Sequence, residues 1–301
     1  TFIFAIISGF IQYFYSFNLF GIYADQRLTL ALSDKLILGG YLIRLLPLLI
    51  AMCLINFGIY KKNIIFYAIL ILSTFILIFL SGERTAFIIS ILIFAFLTLI
   101  IPQRKIHKLL ILITPIMMLI VIYEFKPSLI DRQVTQTFND VSKQTINSSL
   151  LSTERNFHIF SAVHESHYRS AIKMFSNNTI IGIGPNLFRF KCNEVEYKIN
   201  SLSCSTHPHN TYIQLASETG IIGLLFISLI FIYLIITLIK KSKLNFRESS
   251  SLIDYYQILL TLSIVISLFP FVPTLNFFNN WINVIYYLPV GFLLFSINNQ
   301  K

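Results

Sequence analysis

Eight apolar blocks, each long enough to cross a bilayer as a helix, leave this chain no plausible water-soluble fold. They run roughly over 1–22, 36–57, 62–81, 85–101, 108–125, 216–239, 252–271 and 281–298. A hydrocarbon core about 30 Å thick takes ~20 helical residues, and inside it every backbone N–H and C=O must be satisfied within the segment. With 55% hydrophobic and 12% charged residues, the expected class is all-α, a polytopic helical integral membrane protein. The chain opens at Thr1 inside an apolar run, without an initiator Met, a basic n-region or a small-residue cleavage site. It therefore reads as a fragment of a longer polytopic chain with helices upstream.

Alternation of the spans then assigns sides. The connections "YKKN" (60–63), "QRKIHK" (103–108) and "KKSKLNFR" (240–247) are short, basic and all on one side, which the positive-inside rule makes cytoplasmic. The opposite side receives 24–35, the turn "SGERTA" (81–86), the long segment 126–209 and "FVPTLNFFNN" (271–280). The organisation expected is membrane helices one to five over 1–125, a partly helical outward segment over 126–209, and helices six to eight over 210–301. A net charge of +10 lies largely in the basic loops that insertion demands. Without an aromatic-rich basic module or a helix-turn-helix pattern it gives no reason to expect nucleic acid as a partner.

Of three cysteines, Cys53 lies in an apolar span and reads as a small core residue. Cys192 and Cys204, twelve positions apart in the outward segment, are expected to form a disulfide if that side is oxidising, contributing about 3 kcal/mol in the chain-entropy model. The competing metal site would use Cys192, Cys204, His207 and His209, but C-x11-C-x2-H-x-H lacks the short C-x2–4-C pairing usual for zinc.

At the mouth of the sixth span stands "CSTHPHNTYIQLASETGIIG" (204–223). Pro208 suits a first helical position, which would make His207 the cap. Asn210, Gln214 and Glu218 recur at i, i+4 and i+8, forming a polar stripe expected to line a cavity. Ile213, Ala216, Gly220 and Gly223 form a slim neighbouring face against which a second helix could pack. An interfacial helix wetting its polar side at the headgroup level explains the same pattern without a site.

"HNTYIQLASETGIIG" (209–223) resembles the histidine motif of the O-antigen ligase and polymerase superfamily: His, Asn/Ser/Gln, nine residues, Gly, two residues, Gly. His209, Asn210, Gly220 and Gly223 hold those positions; Leu224 and Leu225 stand where the pattern often continues with two threonines. "HESHYRSAIKMFSNNTIIGIGPNLFRFKC" (164–192) is similar to the outward region preceding that motif. "QRLTLALSDKLILGGYLIRLLPLL" (26–49) resembles the family's Arg-Leu-Thr loop, and "LSGERTAFIISIL" (80–92) its arginine turn, with Glu83 in place of a common serine.

The resemblance implies a glycosyltransferase that moves a glycan from undecaprenyl diphosphate to an acceptor hydroxyl at the periplasmic face of a bacterial inner membrane. The acceptor is lipid A-core or a growing glycan, and neither metal nor cofactor is required. The outward residue types suit that work. An arginine fork donates several hydrogen bonds to phosphate oxygens and keeps its charge, so Arg84, Arg27 and either Arg155 or Arg169 are the diphosphate candidates. Against this, Glu83 could pair structurally with Arg84, and Asp25 and Asp34 with Arg27. A neutral imidazole can take a proton from an attacking alcohol, which makes His209 the catalytic candidate. The positive helix end and nearby arginines would hold its ring neutral. His207, Asn210, Gln214 and Glu218 would support it, while His158, His164 and His167 remain unassigned. Ligase, repeat-unit polymerase and transfer to protein differ in the acceptor. A transporter or flippase of lipid-linked sugars, from another class, would carry charged or broken helices near the midplane and a pseudo-repeat, and neither is evident. A purely structural membrane subunit would leave the outward histidines and arginines without a reason.

Overall fold

The computed structural model describes residues 2–23, 27–29, 36–60, 64–100, 124, 162–245 and 251–298. Among them the regular elements are nine helices, with no strand beyond an isolated bridge between Phe17 and Tyr23. They are α1 (Phe2–Tyr15), α2 (Leu38–Tyr60), α3 (Ile64–Leu80), α4 (Arg84–Ile100), α5 (Ala162–Asn177), α6 (Phe188–Lys191), α7 (Thr211–Asn245), α8 (Leu252–Ser267) and α9 (Asn280–Asn298). Two stretches, Leu38–Asn56 and Thr211–Ser242, are long and apolar enough to cross a membrane, and the other apolar helices are shorter. Of the eight blocks expected from sequence, 108–125 falls outside the described residues apart from Glu124, as do 126–161 of the outward segment.

The chain forms two compact units. The first comprises residues 1–137, 238–263 and 289–301. In it, α3 and α4 make a helical hairpin whose turn follows from Gly82, at φ +71°. There the Ser81 N–H reaches the Leu77 carbonyl (2.8 Å) and the Gly82 N–H that of Phe79 (3.2 Å), which is how a left-handed glycine closes a helix end. Phe75 and Phe79 meet Phe87 and Phe94 edge-on across the hairpin. Buried polar side chains tie elements of this unit together. Gln12, 1% exposed, donates to the Thr29 hydroxyl (2.8 Å) and accepts from the Thr29 N–H (2.9 Å), tying α1 to the loop after it.

The hairpin turn also supplies Glu83, whose carboxyl oxygens accept from the Gly39 and Gly40 N–H groups at 2.8 and 3.0 Å. These are amides of the first turn of α2, so Glu83 caps that helix from another element and meets its positive end. Cβ atoms would not fit there: one on Gly39 would come within 2.3 Å of Ser81 Oγ. Burial pushes the Glu83 carboxyl up from the usual range, while the Arg27 guanidinium, the two amides and Arg44 pull it down.

The second unit comprises residues 138–237 and 264–288. Helix α5 is amphipathic. Its buried line His167, Ala171 and Met174 faces a small core with Ile183, Phe188, Cys192 and Tyr197, the i, i+4, i+7 spacing that puts side chains on one helix face. From α5 the chain turns through 178–187 and α6 before a loop leads into α7. Cys192 and Cys204 are bonded to each other, with Cα atoms 5.2 Å apart. They close a loop whose Tyr197 is buried in that core while its Val195, Ile199 and Leu202 are exposed.

Candidate active site

Helix α7 begins three residues later than Pro208 suggests. Asn210 is its cap: Oδ1 accepts from the Tyr212 and Ile213 N–H groups at 3.0 and 3.1 Å, and its carbonyl takes the first intrahelical bond from Gln214 N–H (2.8 Å). Asparagine is among the best N-caps. His207 is therefore not the cap. It is buried, and because a carbonyl can only accept, its Nε2 donates to Thr274 O (3.1 Å), while its Nδ1 lies 2.9 Å from the Thr206 hydroxyl.

His209 precedes the cap with φ +62°, a left-handed conformation that histidine, asparagine and aspartate adopt more readily than other side chains and that recurs at functional sites. Its carbonyl accepts from Thr274 N–H (3.0 Å) and its Nε2 lies 3.0 Å from Ser205 Oγ. Around its half-buried ring stand three more imidazoles. Ring centroids lie 4.1 Å away for His207, 5.4 Å for His164 and 5.5 Å for His167. Two of them come from α5, one turn apart, so a helix 40 residues upstream completes the cluster. Sequence reading left His164 and His167 unassigned; their i, i+3 spacing on a helix was the signal that could have paired them.

Burial lowers the basicity of both. His164 is pushed below the ordinary histidine value by burial, and His167 by burial first and the neighbouring His164 second, against a hydrogen bond to the Cys204 carbonyl that raises it. Tyr168, stacked on His164 at 6.2 Å, is pushed up to about 12 by burial and stays protonated. The consequence for stability has a definite sign. A histidine whose folded value is depressed binds fewer protons folded than unfolded below pH 6.5, so its contribution is intact above that pH and is lost as pH falls through it. Thermal scans between pH 8 and 5 should therefore show melting of this unit falling on the acid side of pH 6.5. A melting temperature flat across that interval would remove the claim that the α5 histidines are held neutral.

The polar stripe does not line an open cavity. Asn210, Gln214 and Glu218 are at most 5% exposed, and each is consumed by hydrogen bonds. Asn210 Nδ2 donates to Pro270 O (2.6 Å). Gln214 Nε2 donates to Asn276 Oδ1 (2.7 Å) and Glu218 Oε2 (2.9 Å), and its Oε1 accepts from Phe277 N–H (2.9 Å). Glu218 Oε1 accepts from Phe188 N–H (2.9 Å). The stripe is a lock that fastens α7 to the loop 268–279 and to the start of α6, because unsatisfied polar groups at that depth would be costly. Gly220 likewise faces no second helix. It interrupts α7 with φ +69° and ψ −161°, and the Ile221 N–H reaches out to Thr179 O (2.7 Å). The turn 179–184 packs backbone to backbone on α7 here: a Cβ on Gly220 would lie 2.2 Å from Ile180 O, and one on Gly182 2.4 Å from the Glu218 carbonyl carbon.

The arginine candidates divide between the units. Arg27 and Arg84 belong to the first, Arg169 to the second, and Arg155 lies outside the described residues. Arg27 donates to Leu36 O (2.6 Å) and lies 4.0 Å from Glu83 Oε2. Arg84 is the first residue of α4 and half-buried. Arg169 is exposed on the outer side of α5 and paired with Glu165 at 2.5 Å, a solvent-facing i, i+4 ion pair of small energetic weight. Arg44 was missed. It sits 6% exposed inside α2 and donates to Gly40 O (2.7 Å); an ionisable residue within an apolar span is itself a functional signal.

Because Cys192 and Cys204 bond each other, neither is available to a metal. Among the described residues no group of three His, Cys, Asp or Glu side chains is disposed to hold one. Reduction of the disulfide should lower the stability of the second unit by about 3 kcal/mol. Melting with and without a membrane-permeant reductant measures this, and an unchanged midpoint in protein verified as reduced would show the bridge to be dispensable.

A family model described as O-Antigen ligase matches residues 66–228, more than half the chain, and no curated protein matches it. The matched span takes in Arg84, α5, the disulfide and the motif from His209 to Gly223; Arg27 and Arg44 lie outside it. A helical chain with membrane-crossing stretches, an imidazole cluster at the head of the longest described helix and this match over more than half its length belongs to the O-antigen ligase family of membrane glycosyltransferases.

Proposed function

We propose that this protein transfers a glycan from undecaprenyl diphosphate to an acceptor hydroxyl at the periplasmic face of a bacterial inner membrane. The observation that carries the reading is the half-buried His209 ring, set by a left-handed backbone at the head of α7 among three imidazoles, of which His164 and His167 are pushed below the ordinary histidine value by burial. In the reaction the His209 imidazole takes the proton of the acceptor hydroxyl as its oxygen attacks the anomeric carbon. The bond from that carbon to the diphosphate oxygen breaks, and the diphosphate leaves on its lipid with both electrons. An arginine fork suits the neutralisation of that leaving group without a divalent cation, and Arg84 and Arg27 are candidates for it by residue type. Arg155 and Arg169 both stay candidates for the outward arginine, the exposed pair of Arg169 with Glu165 being too weak to withhold it from a phosphate. His207 acts by holding Thr274, and through it the His209 backbone, in place.

Ligation to lipid A-core, extension of a growing glycan and transfer to protein share this chemistry and differ in the acceptor. The test is release of undecaprenyl diphosphate by the purified chain from a glycan-loaded donor in EDTA, with each acceptor offered separately. Product with one acceptor names the reaction. Movement of intact donor across vesicles with no transfer to any acceptor would instead make the protein a flippase.

A further inference from the structure

Within the second unit, the start of α6, the loop 268–279 and the first residue of α9 enclose an open cleft of about 240 Å³. Asn186, Arg189, Asn276, Phe278, Asn279 and Asn280 line it. Its organising group is the Asn186 carboxamide, carried by a residue at φ +62°, where asparagine is tolerated better than most residues. Asn186 Oδ1 accepts from Arg189 Nη2 (3.0 Å) and from Asn276 Nδ2 (2.8 Å). Asn276 is held on both sides of its amide, since its Oδ1 also accepts from Gln214 Nε2 (2.7 Å) and Phe278 N–H (3.0 Å). The lock on α7 thus extends through Asn276 into the wall of the cleft and fixes it. This leaves to a ligand the two Nδ2 hydrogens of Asn186, the remaining N–H donors of the exposed Arg189, the amide of the exposed Asn280 and the half-buried ring of Phe278.

That inventory favours one ligand chemistry. Carboxamides donate and accept at once, as sugar hydroxyls do, whereas a phosphate oxygen only accepts and would find the amide carbonyls repulsive. One guanidinium among four asparagines is too little positive charge for a diphosphate. An aromatic face beside the amides suits the apolar side of a pyranose ring, and a volume below the ~300–1,000 Å³ of drug-sized sites takes a single ring rather than an extended chain. We infer that this cleft is a saccharide subsite that seats one ring of the glycan. The source of that ring rests on the transfer reading above; sugar binding by the cleft is measurable without transfer.

The probe is the glycan of the producing cell's own lipid-linked pool, freed from its lipid by mild acid and titrated into the purified full chain, with inorganic pyrophosphate titrated in parallel. Asn280→Leu and Arg189→Ala are each expected to weaken glycan binding ten-fold or more with an unchanged melting temperature, while His209→Ala binds it as the parent does. No glycan binding by the parent, parental affinity in both cleft variants, or pyrophosphate binding that depends on Arg189 would overturn the subsite. Glycan binding that both cleft variants lose, in a protein that transfers to no acceptor, would sink the transfer reading and leave the subsite standing. Transfer with unchanged KM and glycan affinity in both variants would do the reverse.

Discussion

Replacing His209 by Gln is expected to slow glycan transfer by at least about 100-fold, the lower range for loss of a positioned general base, while the protein stays folded with a small loss of stability from placing glutamine at φ +62°. Glutamine keeps a hydrogen-bonding group near Ser205 Oγ, which lies 3.0 Å from the imidazole in the parent, but it cannot take a proton. His209→Ala should be as slow. His207→Ala is the informative contrast. That ring is 5% exposed and bonded to Thr274 O, so its removal leaves a buried carbonyl without a donor and should cost about 1–3 kcal/mol of stability, with a smaller loss of rate. Rates from purified protein with undecaprenyl-diphosphate-linked glycan, read beside melting curves, separate the two effects. A near-parental rate for His209→Gln would make the residue an orienting group and end its assignment as base.

The second large effect falls on Gly220. Gly220→Ala should prevent accumulation of folded protein, a destabilisation above about 4 kcal/mol. The added methyl would meet the Ile180 carbonyl oxygen at 2.2 Å and its carbon at 2.4 Å, and these backbone atoms can retreat only by giving up the Ile221–Thr179 hydrogen bond. Its φ of +69° adds strain for any residue with a Cβ. Gly291→Ala is the control, because a Cβ there meets nothing within 4 Å; it should be neutral or slightly stabilising. Yield and melting temperature in detergent compare the pair. Folded Gly220→Ala at parental yield would mean that the turn 179–184 is not fastened to α7 in the way described.

These two positions show what a linear reading reached. The spacing from His209 to Gly223 carried the family resemblance and named the histidine, because the chemistry of an imidazole is written in its identity. The same spacing suggested a helix packed on Gly220, whereas a turn packs there. Period and size say that a small residue is needed at a close approach, not whether helix or loop approaches. The polar stripe misled in the same way: Asn210, Gln214 and Glu218 share a face by helical geometry, but whether that face meets a cavity or a partner depends on the loop 268–279, some 60 residues away.

The sequence by itself determined the apolar, all-helical character of the chain, the family and the candidate base, since these follow from composition and from residue types at fixed spacing. Only the tertiary structure decided that His164 and His167 join His209, that Asn210 rather than His207 caps α7, that Arg169 pairs with Glu165, and that Glu83 caps α2. The physical reason is common to all four. A side chain that can act as cap, ion-pair partner or reactive group takes whichever role its neighbours leave open, and those neighbours are placed by packing between segments remote in sequence.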